Sequence, residues 1–347
     1  MQKRIKIQNK IIGDGAPVFI IAEAGVNHNG KLSLALKLVD AAVKSGADAV
    51  KFQTFITDKV ITLNAKKETY MKTKDKNQYQ MIKRLELSFK DFKKIAQYCA
   101  KKKIIFLSTP SDEESADFLE DIGVSAFKIG SGEMTHIPLI EHVAKKGLPM
   151  IIATGASYIK EIAEVINAAK KCRNDKIILL HCTSYYPAPF DQINLRAIET
   201  IRKRFNVLVG YSDHTLGSAV SIGAVVLGAC VIEKHFTLNK TLPGPDHRAS
   251  LEPKEFSNLV CGIRTIEKSF GSPVKRPTKI EVEERELGRR SIVASSLIKK
   301  GTKITNSMLA VKRPGYGLAP KHINKIIGHI AKKDLPKDKM LSLKDII

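Results

Sequence analysis

Short apolar runs end in polar motifs eight times along this chain. The runs lie at 17–23, 47–53, 104–109, 125–130, 149–153, 177–182, 207–212 and 230–236. The first four close on A-E-A-G-V-N-H-N-G (22–30), V-K-F-Q (50–53), L-S-T-P-S (107–111) and F-K-I-G-S-G-E (127–133). The last four close on A-T-G (153–155), H-C-T-S-Y-Y-P-A-P (181–189), G-Y-S-D-H-T (210–215) and V-I-E-K-H-F-T (231–237). Such short runs, apolar throughout, fit strands covered on both faces. Helical periodicity separates them near 31–45, 89–102, 112–121, 138–146, 158–171, 194–204 and 217–228, and an eighth stretch follows at 254–269. Strands alternating with helices of this length predict βαβ units and a parallel sheet. An open, doubly wound sheet uses the same elements but places its ligand at one switch point. Polar motifs at every strand end favour a closed α/β (β/α)8 TIM barrel, whose active site lies at the C-terminal face.

Outside this alternation, residues 1–16 predict an N-terminal hairpin around Gly13-Asp14-Gly15 that caps the barrel at 17–271. The stretch 272–290 is charged, holds two prolines and predicts a partly helical linker. Beyond it, 291–295 and 303–305 predict short strands, K-R-P-G-Y-G (312–317) a loop, and 291–347 a small β-rich domain. The uncharged stretch 215–232 approaches membrane-span length. Its glycines and serines, and its place between two polar strand ends, predict a buried helix and strand instead.

Charge narrows the functional classes. The chain of 347 residues carries 58 Lys+Arg against 35 Asp+Glu, a net +23. Many lysines sit in helical stretches, which reads as a solvated basic surface. There is no Trp and no basic-aromatic interleaving of the kind single-strand binders use, so no nucleic-acid partner is expected. Five widely spaced cysteines without C-x-x-C predict reduced thiols and a cytoplasmic location. The N-terminus lacks a signal-peptide core, and no membrane partner is expected.

Strand-end residues carry the candidate chemistry. Lys51 and Lys128 sit between apolar neighbours that face the helix layer, so alternation points both lysines into the barrel. Two lysines there would attract a dianion. Thr109, Ser131, Gly132, Thr154, Gly155 and Ser212 add hydroxyls and backbone amides, which makes a phosphate and carboxylate pocket. His214 and His235 end neighbouring strands, and Glu233 shares a face with His235. The two imidazoles suit either one open divalent-metal site or a hydrogen-bonded structural pair. Glu133, Glu23 and Asp246 are the carboxylates available for proton transfer or hydroxyl binding, and Tyr186 is placed to line a sugar site.

Taken together, these motifs resemble the sialic acid synthase family, the nonulosonic acid synthases that include N-acetylneuraminate and N,N′-diacetyllegionaminate synthases. H-C-T-x-x-Y-P (181–187), Y-S-D-H-T, E-K-H-F-T and G-P-D-H carry the likeness together with the earlier motifs. The tail, with I-K-K-G (298–301) and K-R-P-G (312–315), resembles the antifreeze-like SAF domain of that family. The resemblance implies condensation of phosphoenolpyruvate (PEP) with an N-acetylated mannose-type sugar. It implies PEP binding by Lys51, Thr109, Lys128, Ser131, Thr154, Ser184 and Ser212, and sugar binding by Gln53, Tyr186, Asp246 and Arg313. Glu133 would move protons, with Glu23 as the second choice. His214 and His235 would hold Mn2+, with Mg2+ or Co2+ possible. Arg313 would act across a homodimer with exchanged SAF domains. Where neuraminate synthases read V-K-H-Q and C-T-N-x-Y-P, this chain has V-K-F-Q and C-T-S-Y-Y-P, and M-T-H follows Glu133 where theirs is C-N-N. At these points it resembles the legionaminate branch, and Ser184 is the change that bears on the pocket. A different metal-dependent barrel aldolase acting on a sugar is the alternative reading.

Overall fold

In the computed structural model, which describes residues 3–67 and 73–347, every one of the eight apolar runs contributes a strand to one sheet. A hairpin of β1 (Arg4–Ile7) and β2 (Lys10–Gly13) comes first. The alternation then runs β3 (Phe19–Gly25), α1 (Leu32–Lys44), β4 (Ala49–Thr54), α2 (Thr57–Val60), α3 (Gln78–Leu85), α4 (Phe89–Lys102) and β5 (Ile105–Pro110). It continues through α5 (Glu113–Asp121), β6 (Phe127–Ile129), α6 (Ile137–Lys145), β7 (Met150–Ala153), α7 (Ile159–Lys171) and β8 (Ile177–Cys182). The last members are α8 (Ala197–Phe205), β9 (Leu208–Asp213), α9 (Ala219–Val226), β10 (Val231–His235) and α10 (Pro253–Ser269). The sheet order is β5-β4-β3-β10-β9-β8-β7-β6. Its ladders are parallel, as a (β/α)8 barrel requires. β5 and β6 lie side by side and complete the ring without a ladder among the described residues.

Side-chain alternation divides the barrel core in two. Ile20, Ala22, Val50, Phe52, Phe106, Ile152, Leu179 and Ile232 face the helices and pack in one large apolar layer. Phe52 therefore points outward, as its position beside Lys51 predicts. Phe19, Ile21, Ala49, Ile105, Leu107, Ile151, Ile178, Leu180 and Val231 fill the interior. Ile7 and Ile12 of the hairpin join this inner cluster, so the hairpin plugs the barrel end where the strands begin. No described helix is long and apolar enough to cross a membrane, and 215–232 divides between α9 and the start of β10.

α2 and α3 have no counterpart in the sequence-based expectations. α3 covers only two turns, capped by the Asn77 side chain, which accepts from the Gln80 amide. Met81 and Leu85 on its inner face pack against Val26 and Phe55.

The chain divides into two units, Met1–Phe270 and Gly271–Ile347. The expected linker belongs with the second unit, and most of it forms α11 (Lys279–Gly288), begun by a Thr278/Glu281 capping box. The Gly315 amide donates to the Glu286 carbonyl at 2.7 Å, which ties this helix to the loop at 312–317. β11 (Ser291–Ala294) pairs antiparallel with β12 (Leu309–Lys312). The strand expected at 303–305 is only an isolated bridge between Lys303 and Ile330. Ile292, Ile298, Ile304, Leu309, Ile326, Leu335 and Leu341 form a separate core for this unit.

Candidate active site

The interior strands change character as they rise. Along β10 the inward residues are Val231, Glu233 and His235; along β3 they are Phe19, Ile21 and Glu23. Alternation combined with parallel register brings Glu23, Lys51, Thr109, Lys128, Ser212, Glu233 and His235 to successive inward positions near the C-terminal ends of the strands. All seven are buried.

Both predicted lysines meet there. Lys51 Nζ lies 2.7 Å from Glu23 Oε2 and 3.8 Å from Glu233 Oε2, and donates to Thr109 Oγ1 at 3.1 Å. Lys128 Nζ lies 3.4 Å from Glu233 Oε1, and the Ser212 hydroxyl donates to the same oxygen at 3.0 Å. Glu233 thus bridges the two lysines, a role the sequence-based site did not give it. Its shared face with His235 was the available signal. Burial opposes charge on Glu233, but Lys128 and Lys51 outweigh it and hold its carboxyl below the usual range. Burial also opposes the Lys51 ammonium, yet Glu23 and Glu233 hold its pKa above the ordinary value. Glu23 is different. Burial, with Glu233 nearby, raises its pKa to about 7 despite Lys51. It accepts from Gln53 Nε2 at 3.2 Å, which places Gln53 at this rim.

Glu133 and the serines share the next sector. A Cβ on Gly130 would lie 2.3 Å from Glu133 Oε2, so the missing side chain is what lets this carboxylate fold back over the strand end. At Gly155 a Cβ would lie 2.2 Å from Ser184 Oγ and 2.6 Å from Ser131 Oγ. The two hydroxyls therefore converge over a bare backbone, and the Gly155 amide donates to Ser131 Oγ at 3.0 Å. Gly132 lies beside Ser131 on an exposed turn. Thr154 is buried nearby, but its hydroxyl donates to the Leu180 carbonyl at 3.0 Å. In this rotamer it offers an anion no proton.

The histidines form the third sector. The ring centroids of His214 and His235 are 5.3 Å apart. Tyr186 stacks on His214 at 3.9 Å and meets His235 edge-on at 5.1 Å. His214 Nδ1 lies 2.7 Å from the Thr183 carbonyl, which can only accept, so Nδ1 carries a proton and Nε2 is the nitrogen left for a ligand. His235 Nδ1 is buried without a hydrogen-bond partner and lies 3.9 Å from Asp246 Oδ2. Burial and the neighbouring cations push the His235 pKa far below its ordinary value, so the ring is neutral. Burial opposes charge on His214, but Cys182 and the Thr183 carbonyl outweigh it and hold its pKa above the ordinary value, so a divalent cation would displace a proton there. The orphaned nitrogen of neutral His235 and Nε2 of His214 are the two atoms that would hold such a cation. No group of three or more His, Cys, Asp or Glu suited to a metal occurs among the described residues. Water or substrate oxygens would complete the coordination. Cys182 Sγ sits 3.8 Å from His214 Nδ1, a contact that sequence reasoning missed although Cys182 faces inward on β8.

Arg313 lies apart in the chain. It is exposed on the second unit and is followed by the cis-linked Pro314, whereas every other candidate belongs to the first unit.

Fold and mouth together define a barrel enzyme whose C-terminal face buries two lysines and two histidines among a ring of hydroxyls. Residues 38–275 match the NeuB family, and residues 289–347 match the SAF domain. The chain belongs to the NeuB family. It is 46% identical over 327 residues to the N,N′-diacetyllegionaminic acid synthase of Campylobacter jejuni, covering 93% of this chain and 98% of that protein. It is 47% identical over 323 residues to the synthase of the same name from Legionella pneumophila, covering 91% of each. Among solved structures, the N-acetylneuraminic acid synthetase of Leptospira borgpetersenii superposes with a TM-score of 0.75 at 37% identity, covering 82% of this chain and 95% of that one.

Proposed function

We propose that this enzyme condenses PEP with the open-chain aldehyde of an N-acetylated mannose-type sugar, releasing phosphate and a nine-carbon 2-keto acid. The observation that carries the reading is the convergence of Lys51 and Lys128 on Glu233, ringed by Thr109, Ser131, Ser184 and Ser212. A doubly charged phosphate in this sector would take over the lysine contacts that Glu23 and Glu233 now make. Sugar-aldehyde chemistry alone has no need of two buried ammonium groups. The Thr154 hydroxyl joins the anion contacts after turning from the Leu180 carbonyl.

The enol C3 of PEP attacks the aldehyde carbon, the new C–C bond forms, and the aldehyde oxygen takes a proton. Water adds to the cationic C2 and loses a proton to Glu133, whose carboxylate folds over Gly130 beside the anion sector. The C2–O bond to phosphate then breaks with its electron pair leaving on the phosphate, the C2 hydroxyl proton passes to that phosphate, and the ketone remains. Glu23, with its pKa near 7, is the second proton carrier. A divalent cation held by His214 and His235, by our reading Mn2+ with Mg2+ or Co2+ as substitutes, would supply Lewis-acid polarisation of the aldehyde oxygen. Tyr186, stacked on His214 and edge-on to His235, together with Gln53 and Asp246, would orient the sugar.

The names of the two relatives at 46–47% identity support a 2,4-diacetamido-2,4,6-trideoxymannose acceptor over N-acetylmannosamine. Ser184 in place of Asn is the pocket change that goes with this choice. A homodimer in which Arg313 of one chain completes the sugar site of the other is part of the same proposal. So is a cytoplasmic setting, supported by five free thiols. The test is phosphate release. It should require PEP, sugar and divalent cation together, and release that proceeds without the sugar would refute the reading.

A further inference from the structure

Behind the reacting groups lies a second set of charges that the proposed chemistry does not use. β9 and β10 pair in register, Ser212 opposite Glu233 and Asp213 opposite Lys234. Alternation sends the first pair into the pocket and the second outward, under the helix layer. Asp213 and Lys234 side chains are fully buried, with Nζ 2.9 Å from Oδ2. Each is the chain neighbour of one histidine, Asp213 of His214 and Lys234 of His235.

Their bonds converge on the turn that carries His214. The Thr215 amide and hydroxyl donate to Asp213 Oδ1 at 2.8 and 2.7 Å. The Ser221 hydroxyl of α9 donates to Asp213 Oδ2 at 2.5 Å. Lys234 Nζ donates to the Thr215 carbonyl at 2.5 Å. Residues 213 and 215 are thus fixed from both sides, and the peptide between them carries the imidazole. On its other side the ring is held by the Thr183 carbonyl at 2.7 Å.

We propose that Asp213 and Lys234 are positioning residues whose buried ion pair sets His214 and His235 at the separation a divalent cation needs. The inference rests on the two-histidine metal reading above. A buried ion pair is a poor device for stability, since well-packed apolar residues of similar volume serve as well or better. Apolar residues cannot, however, accept the Thr215 and Ser221 protons or hold the Thr215 carbonyl. The geometry of His214 depends on those bonds. Partners that orient metal-binding imidazoles typically change affinity by about 10–100-fold when removed.

The test is Mn2+ binding by the full-length protein without substrates, read by loss of the free-ion electron paramagnetic resonance signal, beside thermal melting. The double variant Asp213→Asn/Lys234→Met removes both charges and keeps an acceptor for Thr215. It should melt within a few degrees of the unaltered protein and bind Mn2+ about tenfold or more weakly. The KM for the sugar should rise while the KM for PEP stays within about twofold. Mn2+ affinity within about twofold of the unaltered protein would overturn the proposal. If the double variant does not fold, Thr215→Val decides. It removes one donor to Asp213 and should weaken Mn2+ about threefold without changing melting, and unchanged affinity would overturn the proposal. Failure of the unaltered protein to bind Mn2+ would instead remove the metal reading itself, and this inference with it.

Discussion

The two ends of the barrel interior are made by the same strands and do opposite things. At the base, Phe19, Ile105, Ile178, Leu208 and Val231 pack against Ile7 and Ile12 of the hairpin. At the mouth, Glu23, Lys51, Lys128, Ser212, Glu233 and His235 are buried to a similar degree and are all polar. On β10 only two residues, about 7 Å, separate apolar inward Val231 below from charged inward Glu233 above. The lesson is that burial alone does not mark a core. The base gains free energy by removing apolar surface from water, whereas the mouth holds charges that are stable only in pairs.

Substitutions at each end can break this contrast. The largest effect is expected from Lys128→Met, which removes one of two cations facing the anion sector. Activity with PEP should fall about 10³-fold. Folding should change little, because Glu233 keeps Lys51 and the Ser212 hydroxyl as partners. Steady-state kinetics beside denaturant unfolding would show both, and near-normal turnover would favour a barrel aldolase that needs no phosphate site. At the base, Ile12→Ala should behave in the opposite way. It should cost about 2–4 kcal/mol in unfolding free energy while kcat stays within about twofold. A matching drop in kcat would mean that the plug and the mouth are not independent.

Gly155→Ala is a finer probe of the mouth. Its Cβ would sit 2.2 Å from Ser184 Oγ and 2.6 Å from Ser131 Oγ, so both hydroxyls must move. The KM for PEP should rise about tenfold, with a smaller change in kcat. A change confined to the KM for the sugar would assign this cradle to the other substrate.

The smallest effect concerns a group outside the pocket. Burial, then the nearby His247, lowers the His28 pKa from 6.5 to about 4. A histidine held neutral in the folded state contributes stability that is complete above pH 6.5 and is lost as pH falls toward 4. Melting temperature should therefore decline across that window. His28→Gln should decline less steeply, and identical slopes would show that His28 is not among the groups responsible.

Much of this was legible because strand alternation is a local rule. It gave the inward lysines, the outward Phe52 and the faces that Ser212 shares with His214 and Glu233 with His235 without any knowledge of the ring. What escaped depended on distance in the chain. Glu233 draws its role from Lys51 and Lys128, far away in sequence, and its own motif showed only that it faces inward. The Asp213–Lys234 pair was hidden because each residue looks like one more polar group at a strand end. α3 escaped because two helical turns are too few for periodicity, and its place depends on Val26 and Phe55. In the second unit, β12 and the bridge at Lys303 depend on pairings that no local pattern encodes.

Every residue role at the mouth depends on the barrel joining PEP to an N-acetylated sugar. Mass spectrometry of products from PEP, Mn2+ and a panel of such sugars tests it most directly. A nine-carbon 2-keto acid carrying two acetamido groups should form from 2,4-diacetamido-2,4,6-trideoxymannose, and its formation should be faster than that of the product from N-acetylmannosamine. A folded, Mn2+-loaded protein that yields no such acid from any sugar of the panel would contradict it.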